Sequence, residues 1–126
     1  MTPILIIDDD PLTLNLLRLI LESAGFDVHT SENGLDALHK VSCINPAAII
    51  TDIMMPGMGG IELCQRLRER EETAVTPILI LTTCTQYHIM DTCKKLGISD
   101  YLTKPVPRSE LIKAIKNAIL PTPIPS

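Results

Sequence analysis

The sequence predicts an α/β fold in which helices cover both faces of a doubly wound parallel sheet. Apolar runs of strand length alternate along the chain with segments whose apolar residues recur at helical spacing. The strand runs are nearly continuous in Ile, Leu and Ala, which is typical of parallel strands that are buried on both faces. Aromatic residues make up only 2% of the chain, so its core must be aliphatic.

The first strand and the first helix are predicted at the start of the chain. Ile4–Ile7 forms an apolar strand run. Pro11 suits the first position of a helix, Asp9 or Asp10 can cap that helix, and Gly25 ends it. Its apolar residues at helical spacing are Leu12, Leu16, Leu17, Ile20 and Leu21.

A short edge strand and a second helix come next. Residues 26–30 alternate between apolar and polar side chains, as a strand at the edge of a sheet does. After a polar stretch from Ser31 to Gly34, a helix is predicted, and Asn45-Pro46 ends it. Its apolar positions are Leu35, Leu38 and Val41. Residues 47–51 then form the third strand.

The second half of the chain continues the alternation. The glycine-rich segment 56–60 predicts a mobile turn, and a third helix follows and runs into the charged residues 68–72. A fourth strand covers residues 78–81. The helical signal over 86–96 is weak, and Gly97 ends it. The third helix is marked by Ile61, Leu63, Cys64 and Leu67.

The chain closes with a fifth strand and a well-defined helix. The strand ends at Tyr101-Leu102-Thr103, and the helix covers residues 108–120 with Leu111, Ile112, Ile115 and Ile119 on one face. Five strands alternating with five helices predict the flavodoxin-like strand order 2-1-3-4-5. We expect residues 1–120 to form one domain, and the Pro-rich residues 121–126 to be a tail or the start of a linker.

Polar side chains follow four of the predicted strands, at the point where each strand ends. Asp8 and Asp9 follow the first, Asp52 the third, Thr82 the fourth and Lys104 the fifth. The carboxyl ends of parallel strands share one edge of the sheet, so we expect these groups to converge. Three neighbouring carboxylates repel one another unless a cation neutralises them, and hard oxygen ligands suit Mg²⁺. A carboxylate beside a metal, an ammonium and a hydroxyl can attack phosphorus.

Four motifs in this order resemble the receiver domain of bacterial-type response regulators. They occupy residues 4–11, 51–57, 81–83 and 101–105, so the resemblance covers nearly the whole chain. It implies a phosphorylated signalling domain, and not an enzyme beyond its own phosphotransfer and autodephosphorylation. The catalytic residues it implies are Asp52, which would be phosphorylated, Lys104 and Thr82. The Mg²⁺ ligands it implies are Asp8, Asp9, Asp52 and the carbonyl of Met54.

The resemblance also implies residues that convert phosphorylation into a signal. Thr82 and Tyr101 correspond to the switch hydroxyl and the aromatic switch of the family. Met54, Thr83 and Cys84 correspond to positions that tune the lifetime of the phosphoryl group. In the family the position of Thr83 commonly holds a small residue. The branched side chain of Thr83 therefore predicts narrower access to the phosphoryl group. Met54 and Cys84 supply no evident general base, which predicts autodephosphorylation that is not especially fast.

The expected partners also follow from the resemblance. A histidine kinase or a histidine phosphotransfer protein would donate the phosphoryl group. The surface formed by the fourth helix, fifth strand and fifth helix would regulate an output domain or a partner protein, or form a homodimer. The net charge of −4 argues against binding nucleic acid or an anionic membrane by bulk attraction. Without a signal-peptide pattern, a membrane-length apolar run or close Cys-x-x-Cys spacing, the expected location is the cytoplasm.

Two other functions compete with the receiver interpretation. A haloacid-dehalogenase-type phosphohydrolase would use Asp8 as nucleophile and Asp10 as second acid, but Leu12 stands where that family has Thr or Val. A pseudo-receiver of the same fold would signal without phosphate, but it would lack the complete set of site residues. Asp10 itself is expected to be a helix cap. A cis peptide bond is expected before Pro105.

Overall fold

The protein is described here by a computed structural model that covers residues 2–120; the predicted tail at 121–126 lies outside the described residues. Five parallel strands form one sheet in the order β2-β1-β3-β4-β5. This confirms the predicted fold class and strand order. The strands are β1 (Pro3–Ile7), β2 (Asp27–Ser31), β3 (Ala48–Thr51), β4 (Ile78–Thr82) and β5 (Asp100–Thr103).

Five helices connect and cover the strands. They are α1 (Pro11–Ser23), α2 (Gly34–Ile44), α3 (Gly60–Glu69), α4 (Tyr87–Lys95) and α5 (Arg108–Ile119). The charged run after α3 is only partly helical, because α3 ends at Glu69 and a separate 3₁₀ turn covers Glu71–Thr73. Within residues 2–120, every helix is too short or too polar to cross a lipid bilayer.

The sheet separates two apolar layers. Successive strand residues point to opposite faces, so Ile4 and Ile6 enter one layer and Leu5 and Ile7 the other. The first, here called the α1/α5 layer, includes Leu14, Leu17 and Leu21 of α1 with Leu111, Ala114 and Ile115 of α5. The second, the α2/α3/α4 layer, includes Ala37, Leu38 and Val41 of α2, Leu63, Cys64 and Leu67 of α3, and Cys93 of α4.

The predicted core faces of α1 and α2 were partly wrong. Leu12, Leu16 and Leu35 are 80%, 58% and 61% exposed. Leucines occur all round α1, so two helical phases fit its sequence equally well. Packing selects the phase of Leu14, Leu17 and Leu21, because that stripe faces the sheet when the helix begins directly after Asp10. The other leucines remain as exposed apolar groups on α1 and at the start of α2.

Candidate functional site

Asp8 and Asp52 are brought side by side by the pairing of β1 with β3. Ile7 is the partner of Thr51 in that register, so the residues that follow the two strands emerge together. The N–H of Asp52 donates to the carbonyl of Ile7 at 3.0 Å, which extends the pairing by one step. Both carboxylates are nearly inaccessible, at 2% and 7% exposed. The carboxyl edge of the sheet therefore holds two adjacent buried acids.

Lys104 lies between these two acids. Its Nζ donates to Asp8 Oδ2 at 2.6 Å and to Asp52 Oδ2 at 2.8 Å. The N–H of Lys104 donates to the carbonyl of Thr82, which ties the turn after β5 to the end of β4. The peptide bond between Lys104 and Pro105 is cis, as expected. Burial lowers the pKa of Lys104, but its bonds to Asp52 and Asp8 outweigh burial and leave that pKa raised.

Asp52 is held at both carboxylate oxygens. Its Oδ1 accepts hydrogen bonds from the N–H groups of Ile53 at 2.6 Å and Met54 at 3.2 Å, while Oδ2 faces Lys104. Burial raises the pKa of Asp52, but hydrogen bonds from Lys104, Thr82 and the N–H of Met54, led by Lys104, outweigh burial and lower it. For Asp8, burial dominates and the pKa is raised despite the same lysine. Asp52 is thus the carboxylate that this site stabilises in its ionised form.

A third carboxylate completes an acidic cluster. Asp8, Asp9 and Asp52 can each present a carboxylate oxygen so that all three lie within 4.8 Å of one another. One lysine cannot balance three carboxylates, and carboxylate oxygens are the ligands that Mg²⁺ prefers. The donor set therefore fits a hard divalent cation.

The side chain of Asp10 is outside this cluster. Its side chain caps α1, accepting from the N–H of Leu12 and from Oγ1 of Thr13 at 2.7 Å, and these bonds lower its pKa. Capping was the role expected for it. A phosphohydrolase would need Asp10 beside Asp8 as a second acid, and this arrangement does not favour that function.

Thr82 and Tyr101 meet on the backbone of Cys84. Thr82 is fully buried at the end of β4, and its Oγ1 accepts the N–H of Cys84 at 3.2 Å. The hydroxyl of Tyr101 donates to the carbonyl of the same residue at 2.6 Å. Burial, more than any other cause, raises the pKa of Tyr101 to about 12. Thr83, in contrast, is exposed, and Met54 is 62% exposed at the rim of the site.

Comparison with known proteins agrees with this geometry. The family model described as the response regulator receiver domain matches residues 4–116. The chain belongs to this family. It is 38% identical to Protein PilH of Pseudomonas aeruginosa over 95% of this chain and 98% of that protein. It is also 38% identical to the DNA-binding dual master transcriptional regulator RpaA of Synechocystis, over 92% of this chain but 48% of that protein. This receiver domain thus spans about half the length of that regulator.

Solved receiver structures have the same fold. The chemotaxis protein CheY4 of Vibrio cholerae superposes with a TM-score of 0.89 at 31% identity, over 94% of this chain and 98% of that one. A response regulator from Chloroflexus aurantiacus superposes with a TM-score of 0.88 at 35% identity, over 94% and 97% of the two chains.

Gly60 is a residue of this receiver that the sequence pattern did not single out. It is the buried first residue of α3, and its N–H donates to the carbonyl of Ile53 at 2.9 Å. A Cβ at this position would overlap the carbonyl oxygen of Asp52 and lie 2.7 Å from Cα of Ile53. The start of α3 therefore packs directly on the backbone that carries Asp52. The glycine-rich stretch was interpreted only as a turn, because close approach of two backbone segments leaves no local signal.

A second concave surface lies between α1 and α2, away from the strand ends of β3, β4 and β5. This cleft has a volume of about 540 Å³ and includes Arg18, Asp36 and Lys40 in its lining. Its cations already have acidic neighbours, since Lys40 pairs with Asp36 at 3.0 Å and Arg18 with Glu22 at 3.6 Å. The buried acids and the lysine that contacts them are at the sheet edge and not in this cleft.

Proposed function

We propose that this receiver domain accepts a phosphoryl group on Asp52 from a phosphohistidine of a histidine kinase or phosphotransfer protein, and uses Mg²⁺ to do so. The observation that carries the proposal is the environment of Asp52. One of its oxygens accepts two backbone N–H bonds, the other faces the ammonium of Lys104, and two further carboxylates lie alongside. A lowered pKa keeps Asp52 ionised, so it needs no base to act as a nucleophile.

The metal would be held by Asp8, Asp9, Asp52 and the carbonyl of Met54. When bound, Mg²⁺ supplies positive charge that balances these carboxylates and the oxygens of the incoming phosphoryl group. An oxygen of Asp52 forms the new bond to phosphorus while the bond from phosphorus to the donor's imidazole nitrogen breaks. Lys104 then donates to a phosphoryl oxygen in place of a carboxylate.

The signal would be generated at Thr82 and Tyr101. A phosphoryl oxygen offers the Thr82 hydroxyl a stronger acceptor, and moving toward it breaks the bond that Thr82 Oγ1 now accepts from Cys84. Cys84 also accepts from Tyr101, so the same change reaches β5 and α4. We propose that the surface of α4, β5 and α5 thereby binds an output domain, a partner protein or a second copy. The domain would thus exchange between two states, one with the bond between Thr82 and Cys84 and one without it. The phosphoryl group biases this equilibrium through its different contacts in the two states.

The phosphoryl lifetime would be set by Met54, Thr83 and Cys84. Met54 is apolar and 62% exposed, and Thr83 is an exposed branched side chain beside Thr82. Met54 and Cys84 supply no evident general base for an attacking water, so we expect autodephosphorylation that is not especially fast. Met54→Glu should change the rate at which the phosphorylated protein loses its adduct after the donor is removed. An unchanged rate would show that position 54 does not control access of water.

The surroundings of the site support docking of a partner protein. Leu12, Leu35 and Met54 are exposed apolar side chains on three successive segments that follow β1, β2 and β3. Apolar groups around a charged centre are suited to exclude water when a partner binds. We further propose that residues 1–120 act as the receiver unit, with 121–126 as a tail or linker. A reducing, cytoplasmic compartment is supported by the four unpaired cysteines, Cys43, Cys64, Cys84 and Cys93.

Intact-protein mass spectrometry with acetyl phosphate tests the assignment of Asp52. The wild type should gain one phosphoryl adduct that requires Mg²⁺, and Asp52→Asn should gain none. Asp10→Asn is the matched control, because Asn is an equally good helix cap and the change leaves the acidic cluster intact. It should behave as the wild type. An adduct on Asp52→Asn, or phosphatase turnover that survives in Asp52→Asn and is lost in Asp10→Asn, would overturn the proposal in favour of a phosphohydrolase.

A further inference from the structure

The loop between β3 and α3 (residues 52–59) carries two of the four proposed metal ligands. It presents the N–H groups of Ile53 and Met54 to the Asp52 carboxylate, and it contains the carbonyl of Met54. The first part of the loop is held by burial, since Ile53 and Met55 are 5% and 9% exposed. The second part, residues 56–59, contains two glycines, which have no side chain to bury.

Met58 provides the support for this second part by lying against Gly34. Gly34 is the buried first residue of α2. A Cβ on Gly34 would be 2.9 Å from Sδ of Met58 and 3.1 Å from its Cβ, so the methionine side chain from Cβ to Sδ lies against the backbone of the helix. The start of α2 is itself fixed by Asn33, whose Oδ1 accepts the N–H of Asp36 at 2.7 Å. The loop is thus anchored on a rigid helix terminus.

We propose that Met58 and Gly34 are positioning residues of the metal site. Their contact fixes the loop in the metal-free protein so that the carbonyl of Met54 and the carboxylate of Asp52 are in place before a cation binds. Without it, the cation would have to order the loop itself, and the lost conformational entropy would weaken binding. This inference rests on the proposed function, because it takes Mg²⁺ as the ligand of the acidic cluster.

The test is a double-mutant cycle of Gly34→Ala, Met58→Ala and the two combined, with Met90→Ala as control. Met90 is a partly exposed methionine on α4, so its truncation makes the same chemical change on another element. Mg²⁺ is titrated against the ¹⁵N-labelled, unphosphorylated proteins, following the amides of Ile53 and Met54. Amide hydrogen exchange of the same two residues is measured without metal, and thermal unfolding is recorded for every variant.

Each single variant should bind Mg²⁺ about tenfold more weakly and exchange the two amides faster, as loss of an outer-shell support does. Gly34→Ala should have a smaller effect once Met58 is Ala, because the approaches to Sδ and Cγ are then gone and only the 3.1 Å approach to Cβ remains. Met90→Ala should match the wild type in both readouts. The ranking of the variants by Mg²⁺ affinity and amide exchange should differ from their ranking by unfolding temperature, since Ala at a helix start need not destabilise the fold.

The outcomes separate this inference from the function on which it rests. If the wild type binds Mg²⁺ and both single variants bind it equally well, the positioning role is overturned and the metal site stands. If Gly34→Ala weakens binding equally in the presence and absence of Met58, the contact is not the cause and the role is also overturned. If the wild type shows no Mg²⁺ titration at these amides, the proposed metal site fails and this inference fails with it.

Discussion

The two apolar layers of the sheet differ in the side chains that fill them. The buried members of the α1/α5 layer are Ile, Leu, Val, Ala and Phe residues. The α2/α3/α4 layer also buries Met55, Cys64 and Cys93, and Met58 and Tyr101 pack against it. Unbranched sulfur-containing side chains adapt to irregular or changing surroundings more readily than β-branched ones. This softer layer lies beneath the loop that carries Asp52 and beside Tyr101, while the aliphatic layer lies on the opposite face.

The comparison predicts that truncation of the α1 side of the α1/α5 layer lowers stability without changing the rate of phosphorylation. Leu21 is fully buried in α1, far along the helix from the site. Leu21→Ala should reduce the free energy of unfolding by about 3–4 kcal/mol, as large-to-small core substitutions do. Urea denaturation measures this loss. The rate of phosphoryl adduct formation per folded molecule should equal that of the wild type, and a slower rate would refute the proposed separation of the layers.

Gly60→Ala should affect both stability and function, because its methyl group would meet the backbone of Asp52 and Ile53. Relief of this overlap requires a backbone shift, and overpacking of that kind costs about 3 kcal/mol. We expect a comparable loss of unfolding free energy together with slower phosphorylation of the folded protein. Gly59→Ala is the matched control, since its Cβ would approach the carbonyl of Ile53 no closer than 3.3 Å and its φ is −74°. Equal effects of the two substitutions would contradict this account.

Arg68 joins α3 to the turn between α4 and β5 and to the segment that precedes β4. Its guanidinium donates to the carbonyls of Leu96 at 2.8 Å and Thr76 at 2.7 Å. Arg68→Met leaves these acceptors without a charged donor and should lower the unfolding free energy by about 2 kcal/mol.

Arg66→Met is the control for this substitution. Arg66 forms an exposed pair with Glu62 at 3.0 Å on the same helix, and such pairs contribute about 0.5 kcal/mol. Both variants are compared by urea denaturation. If Arg68→Met were no worse than Arg66→Met, the carbonyl contacts would have no role in holding the α4–β5 turn.

The smallest expected effect is a change in alkaline stability at Tyr101. Burial chiefly raises its pKa from 10.0 to about 12, so the folded state keeps a proton that the unfolded chain releases. Stability should therefore fall as pH rises from 10 to 12. Tyr101→Phe should make this fall shallower in unfolding measurements across that range. The pKa of Lys104 is also raised, so part of the loss of stability with rising pH should remain in both the wild type and Tyr101→Phe. Tyr87→Phe, at a side chain 85% exposed on α4, makes the same chemical change elsewhere and is the control.

Much of the fold was predictable because its signals are local. Pro11 marks the start of α1, and Gly25 and Gly97 follow helices where the backbone has positive φ. The pattern over 86–96 is weak, but α4 forms there. Cys93 is the one fully buried residue of this helix, so a strong apolar stripe is not expected in its sequence. The error in α1 occurred because apolar residues surround that helix, so periodicity did not identify the face toward the sheet. In α2 only Leu35 was misplaced, and it is exposed in the first turn of the helix.

The sequence by itself determined where the strands lie and which polar groups follow each of them, because strand periodicity and strand-end chemistry depend on neighbouring residues alone. The alternation of five strands with five helices then predicted the strand order. Only the tertiary structure decided how those groups pair: Lys104 bonds to Asp8 and Asp52 across 96 and 52 residues of sequence. It also decided that Gly60 packs on Asp52 and that Met58 lies on Gly34. Contacts of this kind depend on the distance between segments that are remote in the chain. A glycine in the sequence does not show which of those segments packs against it.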